Sequence, residues 1–294
     1  MSPHTHHDAA ATFALGGTLT IPRLGFGAMQ LPGRWGGPAV PREAAVAVAR
    51  RAVELGVRHL DTAAFYFSAN DILRTALHPY PSDVTIATKV GPLRDASGEM
   101  YGEARPDQLR ELVEENLRQL GVDALDLVYL RVGRLDAVGG VPIGDRFAVL
   151  AELRAAGLIR HLGVSNVSRA QLDEARAIAP VAAVQNQFGV LDQRDAVLVD
   201  LCADAGIAYM PFFALGGSRA ALAEANLMTV AERHGATTYQ VAIAWGLARS
   251  PSIVQIPGTS SLAHLEENMA AAQLVLDEAD MTLLDTGAPD STRQ

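Results

Sequence analysis

Val57-Arg58-His59-Leu60-Asp61-Thr62-Ala63-Ala64-Phe65-Tyr66 runs from a short apolar segment into an acid, and a tyrosine follows five residues later. The next strand-like segment, Val84-Thr85-Ile86-Ala87-Thr88, is closed by Lys89. Between the two, residues 71–77 read as a helix. Strand, helix, strand is the repeating unit of a parallel sheet. Residues at the C-terminal ends of successive strands can share one pocket, so this arrangement brings an acid, a phenol and an amine together. There they can make the phenol acidic enough to donate a proton near neutral pH.

The same unit recurs along the chain. Residues 12–14 and 18–21 flank Gly16-Gly17 and read as a small hairpin. The first barrel strand is expected over 24–28. Pro41 and Gly56 bracket a helix ending near Leu55, with proline at the start and glycine past the end. Strands follow over 57–60, 84–89, 126–131, 159–164, 181–185, 207–211 and 253–256. Helices are expected near 106–120, 145–156, 168–178, 192–205, 227–234, 238–250 and 262–272. Eight apolar strands separated by helices imply a closed α/β barrel, the (β/α)8 or TIM type, with a short N-terminal β-hairpin. Continuous apolar strands fit a sheet covered on both faces. No linker cuts the chain, so residues 12–294 read as one catalytic domain and 1–11 as a disordered tail. An open doubly wound sheet is the alternative, but no G-x-G-x-x-G follows the first strand. Three loops are longer than a minimal unit needs: 91–105, 132–143 and 213–226. In a barrel, loops after the strands shape the pocket.

Composition excludes several classes. The chain has 294 residues, 49% hydrophobic and 19% charged, with net charge -9. That balance argues against nucleic acid as a partner. No apolar run approaches the roughly 18 residues of a membrane span. The lone Cys202 cannot form an internal disulfide and suits a reducing compartment, the cytoplasm. His4, His6 and His7 lie in the polar tail, so no metal site is expected there.

Asp61-Thr62-Ala63-x-x-Tyr66 with Thr88-Lys89 downstream resembles the active-site signature of the aldo-keto reductases. Further matches in the same order extend the resemblance from about residue 24 to about 268. It implies a single barrel and, for most members, NADPH-dependent carbonyl reduction. In that reading Tyr66 protonates the carbonyl oxygen as hydride arrives. Lys89 stabilises the phenolate, and Asp61 holds Lys89 charged and in place. The family's histidine at the end of the fourth strand is replaced here by Arg131, as in a bacterial branch. Arg131 is expected to donate to the developing oxyanion and to suit a carboxylate or phosphate on the substrate. With Lys89 it should bring the Tyr66 pKa below its free value. The bland alternative is a structural arginine paired with a loop carboxylate.

The resemblance also implies a cofactor site. Ser165, Asn166 and Gln185 match the residues that bond the nicotinamide carboxamide, a group needing both donors and acceptors. Phe212 matches the aromatic that stacks on the ring. Ala214, Leu215, Gly216 and Ser218 resemble the loop crossing the diphosphate. Gly258, Thr259, Ser260 and His264 resemble the adenosine-phosphate site at a helix start, with Glu267 and Asn268 facing adenine. Gly258 and His264 stand where many relatives carry cations. NADPH is therefore expected as cofactor, with NADH possible, and NADPH should bind tighter by a smaller margin than a lysine or arginine site would give. The expected substrate is a small or aromatic carbonyl compound, pyridoxal-like or sugar-like. Two other functions compete: a Schiff-base aldolase using Lys89, and a non-catalytic nucleotide-sensing subunit. Neither the oligomeric state nor the physiological substrate is legible.

Overall fold

We describe a computed structural model of the chain, which covers residues 12–33, 38–95, 99–133, 140–214 and 224–286. The tail 1–11 and Leu215, Gly216 and Ser218 lie outside the described residues. The chain opens with a hairpin of β1 (Thr12–Leu15) and β2 (Leu19–Pro22). Then come β3 (Phe26–Gly27), α1 (Arg42–Glu54), β4 (His59–Asp61), α2 (Ala69–Leu77) and β5 (Thr85–Val90). A second hairpin, β6 (Pro92–Arg94) with β7 (Met100–Glu103), precedes α3 (Pro106–Leu120) and β8 (Leu125–Arg131). Next are α4 (Gly144–Ala155), β9 (Ile159–Ser165), α5 (Arg169–Ile178), β10 (Val181–Gln185), α6 (Ala196–Asp204) and β11 (Ala208–Tyr209). The helices α7 (Ala225–His234), α8 (Thr238–Arg249), α9 (Leu262–Ala270) and α10 (Glu278–Thr286) complete the described chain.

Seven strands form one sheet in the order β11-β10-β9-β8-β5-β4-β3, every neighbour pair parallel. The expected strand over 253–256 is reduced to isolated bridges, Tyr209 to Ile253 and Leu24 to Gln255. Those bridges join the two edges of the sheet and close the eight-stranded barrel. Arg23 holds this closing segment: its buried guanidinium donates to the carbonyls of Ile253, Leu247 and Ser250 at 3.0, 2.7 and 2.6 Å. Side chain-to-backbone bonds thus fasten a segment that has little ladder of its own.

Alternation along the strands separates two cores. Outward residues pack against the helices in one large cluster that includes Leu60, Ile86, Val128, Leu130 and Val164. Inward residues, among them Ala87, Leu127, Ala183, Ala208 and Val254, fill the barrel, and Leu15 and Ile21 of the hairpin join them. The hairpin therefore plugs the end opposite the pocket. Small residues inside leave room for Tyr129; a Cβ on Gly163 would come within 2.6 Å of its ring.

Helix boundaries follow local chemistry. α3 begins at Pro106, whose missing N–H would be unpaired there anyway, and ends at Gly121 with φ 72°. Ser168 and Thr237 cap α5 and α8, each in a reciprocal box with a glutamine three residues on. Three elements were not expected. β6 and β7 lie in the stretch read as a loop, because Met100–Glu103 is exposed and shows no apolar alternation. α10 was also missed, although Asp277 accepts from Asp280 N at 2.8 Å, a capping signal present in the sequence.

Candidate active site

The C-terminal ends of β4, β5, β8, β9 and β10 open on a cavity of about 450 Å³. Asp61 ends β4, and Lys89 lies one strand over on β5. Lys89 Nζ donates to Asp61 Oδ1 at 2.5 Å and to the Thr62 carbonyl at 3.1 Å, with both side chains almost wholly buried. Tyr66 follows on the turn after β4 and is 9% exposed. Its hydroxyl is hydrogen-bonded to Lys89, whose Nζ lies 4.9 Å from the ring centroid. The acid, amine and phenol read from the sequence are therefore one cluster.

Burial alone would lower the Lys89 amine, but Asp61, then Tyr66, more than reverse this, and its pKa lies above the ordinary value. The ammonium form is locked in. Tyr66 departs from expectation: its pKa is raised, not lowered. Burial of the phenol outweighs the opposing pull of Lys89 and the weaker one of Arg131.

Behind this cluster lies a second polar network, which the sequence did not announce. Thr62 and Thr88, each next to a charged residue, turn to the helix side. Thr62 Oγ1 donates to Asn70 Oδ1 at 2.7 Å, and Thr88 Oγ1 to Asn116 Oδ1 at 2.5 Å. Asn70 Nδ2 joins the two through Asn116 Oδ1 at 3.1 Å and also reaches Gln119 at 2.9 Å. Buried amides of α2 and α3 thus clasp the strand ends that carry Asp61 and Lys89.

Arg131 ends β8 and is 8% exposed. Its guanidinium lies 5.2 Å from the centroid of the Phe212 ring, and Nη1 donates to the Val132 carbonyl at 3.2 Å. Among the described residues it has no carboxylate partner, so the paired structural arginine is not what is observed. Burial brings its pKa down to about 10, which leaves it charged at neutral pH.

The remaining residues divide. Ser165, Gln185, Phe212, Ala214, Gly258, Thr259, Ser260, His264, Glu267 and Asn268 line the cavity. Asn166 does not; its Nδ2 donates to the Val132 carbonyl at 2.9 Å, at a positive φ of 61°. Gln185 is partly committed: Nε2 donates to Asp61 Oδ2 at 2.8 Å, so Oε1 is the atom left for a ligand. Glu267 accepts from the Thr237 hydroxyl at 2.6 Å. Ser261 caps α9, whose start borders the cavity. Met29, Gln30, Phe213 and Tyr239 also line it. Met29 and Gln30 follow the first barrel strand, a position that faces the pocket in any such barrel.

The residues fit a nicotinamide dinucleotide. Ser165 Oγ is fully buried and has no hydrogen-bond partner, which is costly for a hydroxyl unless a ligand meets it. A carboxamide can do so. The N-terminus of α9, beside Thr259 and Ser260, suits a phosphate, although the Ser261 and His264 amides already have side-chain acceptors.

The family model described as "Aldo/keto reductase family" matches residues 23–287. The chain belongs to the aldo/keto reductase family. It is 47% identical over 280 residues to pyridoxine 4-dehydrogenase of Escherichia coli (strain K12), covering 93% of this chain and 97% of that protein. It is 28% identical to the NADH-specific methylglyoxal reductase of the same organism, covering 90% and 94%. Among solved structures, a thermostable aldo-keto reductase in complex with the inhibitor epalrestat is similar at TM-score 0.80 and 28% identity, covering 94% and 99%. As an aldo/keto reductase this chain is an NAD(P)H-dependent oxidoreductase acting on small-molecule carbonyl compounds. No described helix is long and apolar enough to cross a membrane.

Proposed function

We propose that the chain, as one catalytic domain over residues 12–294, reduces an aldehyde or ketone to an alcohol with NADPH, and that Tyr66 is the proton donor. The observation that carries this is the buried Asp61–Lys89 pair at 2.5 Å with the Tyr66 hydroxyl on the same ammonium. The nicotinamide, when bound, supplies the hydride. Tyr66, kept neutral by burial, holds the proton that the product needs. Hydride arrival turns the carbonyl oxygen into an alkoxide, a stronger base than a phenolate, so the phenol gives up its proton. The phenolate left behind faces Lys89 and Arg131. Arg131 donates to the same oxygen as charge builds on it, an oxyanion role. Ser165 and the free Oε1 of Gln185 orient the carboxamide, and Phe212 offers a ring face for stacking.

NADPH is favoured over NADH by a narrow margin. Thr259, Ser260 and the α9 start receive the 2′-phosphate with His264 beside them, and among the described residues no arginine or lysine lines that end of the cavity. The reading places the enzyme in the cytoplasm, where Cys202 stays reduced. A pyridoxal-like aldehyde is the first substrate to try, since a relative at 47% identity is named for pyridoxine.

The Schiff-base reading needs a neutral amine. Lys89 is held as ammonium by Asp61, which disfavours that route. The test is NADPH consumption with pyridoxal and 4-nitrobenzaldehyde by wild type and Tyr66→Phe. Wild type should turn over, and the variant should bind NADPH yet lose about 10²–10⁴ in rate. Wild-type turnover in the variant removes Tyr66 as donor. Tight NADPH binding with no turnover across aldehydes favours the nucleotide-sensing subunit.

A further inference from the structure

The charges around the carbonyl end of the cavity do not balance. Asp61 neutralises Lys89 through the 2.5 Å contact. Arg131 has no such partner among the described residues, and only one of its five N–H donors is engaged, by the Val132 carbonyl. Two acidic groups bear on it, the Tyr66 phenol and Glu103. Tyr66 is neutral at rest. Glu103 is already occupied, with Oε2 on Arg146 and Oε1 accepting from Gly133 N at 2.7 Å. Among the described residues that line the cavity, one fixed positive charge is therefore left facing the substrate space.

Three features narrow what that charge receives. A single free cation among the described lining residues matches a monoanion better than a phosphate dianion. Phe212 sets an aromatic ring 5.2 Å from the guanidinium, an apolar neighbour that favours an aromatic substrate over a purely polar one. The 450 Å³ cavity runs on to His264, Glu267 and Asn268 and must hold the cofactor as well, so the substrate it takes is small. A guanidinium fork binds best where two oxygens lie side by side. One of the two is the carbonyl oxygen itself, which must lie near Tyr66 to be protonated.

We infer that Arg131 selects aromatic aldehydes carrying an ionised oxygen ortho to the carbonyl, by donating to both oxygens at once. The inference rests on the carbonyl-reductase reading above and adds a substrate class to it. Pyridoxal carries this pair of oxygens. The ortho oxygen fixes the ring rotation, so the carbonyl oxygen stays between Arg131 and Tyr66. Arg131 is then a specificity-determining residue as well as an oxyanion donor. A histidine at the end of β8, with one N–H to offer the site, could not hold both oxygens in this way.

The experiment compares 2-hydroxy-5-nitrobenzaldehyde, whose phenol ionises readily, with its 2-methoxy analogue. Both are reduced with NADPH by wild type and by Arg131→Gln. The intrinsic reactivity of each aldehyde cancels when the ratio of the two kcat/KM values is compared between the enzymes. That hydroxy-to-methoxy ratio should fall by about 10- to 100-fold in Arg131→Gln, the span of one charge-assisted hydrogen bond. An unchanged ratio overturns the inference. So does a greater loss for phenylglyoxylate, which would make Arg131 a carboxylate receptor. Failure of wild type to reduce 4-nitrobenzaldehyde would instead refute the carbonyl-reductase reading itself.

If Arg131→Gln is too slow to assay, the product serves. 2-Hydroxy-5-nitrobenzyl alcohol is titrated on the NADP⁺ complex, following the visible band of its nitrophenolate. Bound to wild type, it should ionise at lower pH than in free solution, and on Arg131→Gln that shift should vanish. A shift of equal size on both proteins overturns the inference.

Discussion

Asp61 and Thr62 are adjacent in the chain and face opposite sides of the barrel wall. Lys89 and Thr88 are paired the same way on the next strand. The inward pair makes a charged contact beside the cavity. The outward pair makes neutral hydrogen bonds to Asn70 and Asn116, sealed between wall and helices. Each network is buried and each is partnered, but they differ in what a break costs. Removing one member of an ion pair strands a charge, whereas removing one amide strands a dipole. The chemistry lies on the inner side, and what keeps its two strand ends in register lies on the outer.

The charged side should break hardest. Lys89→Met leaves the Asp61 carboxylate with Gln185 alone and should cost about 3–5 kcal/mol of stability, as for a broken buried pair. The Lys89 pKa is raised in the folded state. The stabilisation from its charge is therefore complete below the ordinary value of 10.5 and is lost as pH rises through the folded value. Denaturant midpoints against pH should show that alkaline decline in wild type and not in the variant. An identical decline in both would mean that other groups cause it.

His59 sharpens the contrast from within β4. It is fully buried two residues before Asp61, and neither ring nitrogen has a hydrogen-bond partner. Burial lowers its pKa from 6.5 to about 4. A histidine that stays neutral when folded contributes stability above pH 6.5, and that contribution is lost as pH falls towards 4, by roughly 3 kcal/mol in all. His59→Leu should flatten the acid limb of the stability curve by about that amount. The same acid limb in wild type and variant would rule out His59 as its source.

The neutral clasp should break more gently. Asn116→Leu removes the shared acceptor of Thr88 and Asn70 and should cost about 1–3 kcal/mol. Because the end of β5 loses its direct tie to α3 while Asn70 keeps its bond to Gln119, kcat should fall by about tenfold while NADPH affinity holds. Steady-state kinetics beside a cofactor titration would separate the two. Loss of cofactor binding in step with kcat would mean general loosening, not mispositioning. Thr88→Val is the mildest change. It deletes one donor, should cost about 1 kcal/mol and should leave kcat close to wild type. If Thr88→Val harms catalysis more than Asn116→Leu does, the clasp does not act through Asn116.

Much of this was legible in residue order. Strand-length apolar runs alternating with helices specify a barrel, because a parallel sheet needs a covering crossover between each pair of strands. Asp61, Tyr66 and Lys89 could be named because each ends or follows a strand, and strand ends share one face. Caps such as Pro106, Gly121 and Ser168 act within a few residues, so local sequence states them directly.

What tertiary structure alone decided involves partners far apart in the chain. Asn70 meets Asn116 across 46 residues and Gln185 meets Asp61 across 124, contacts with no local pattern to announce them. Arg23 closes the barrel through carbonyls more than 220 residues away. The sign of the Tyr66 shift was likewise hidden. The sequence supplies the cations that would lower that pKa, but the desolvation that raises it depends on how completely the folded chain buries the ring. Charge can be counted along a sequence; burial exists only once the chain has closed on itself.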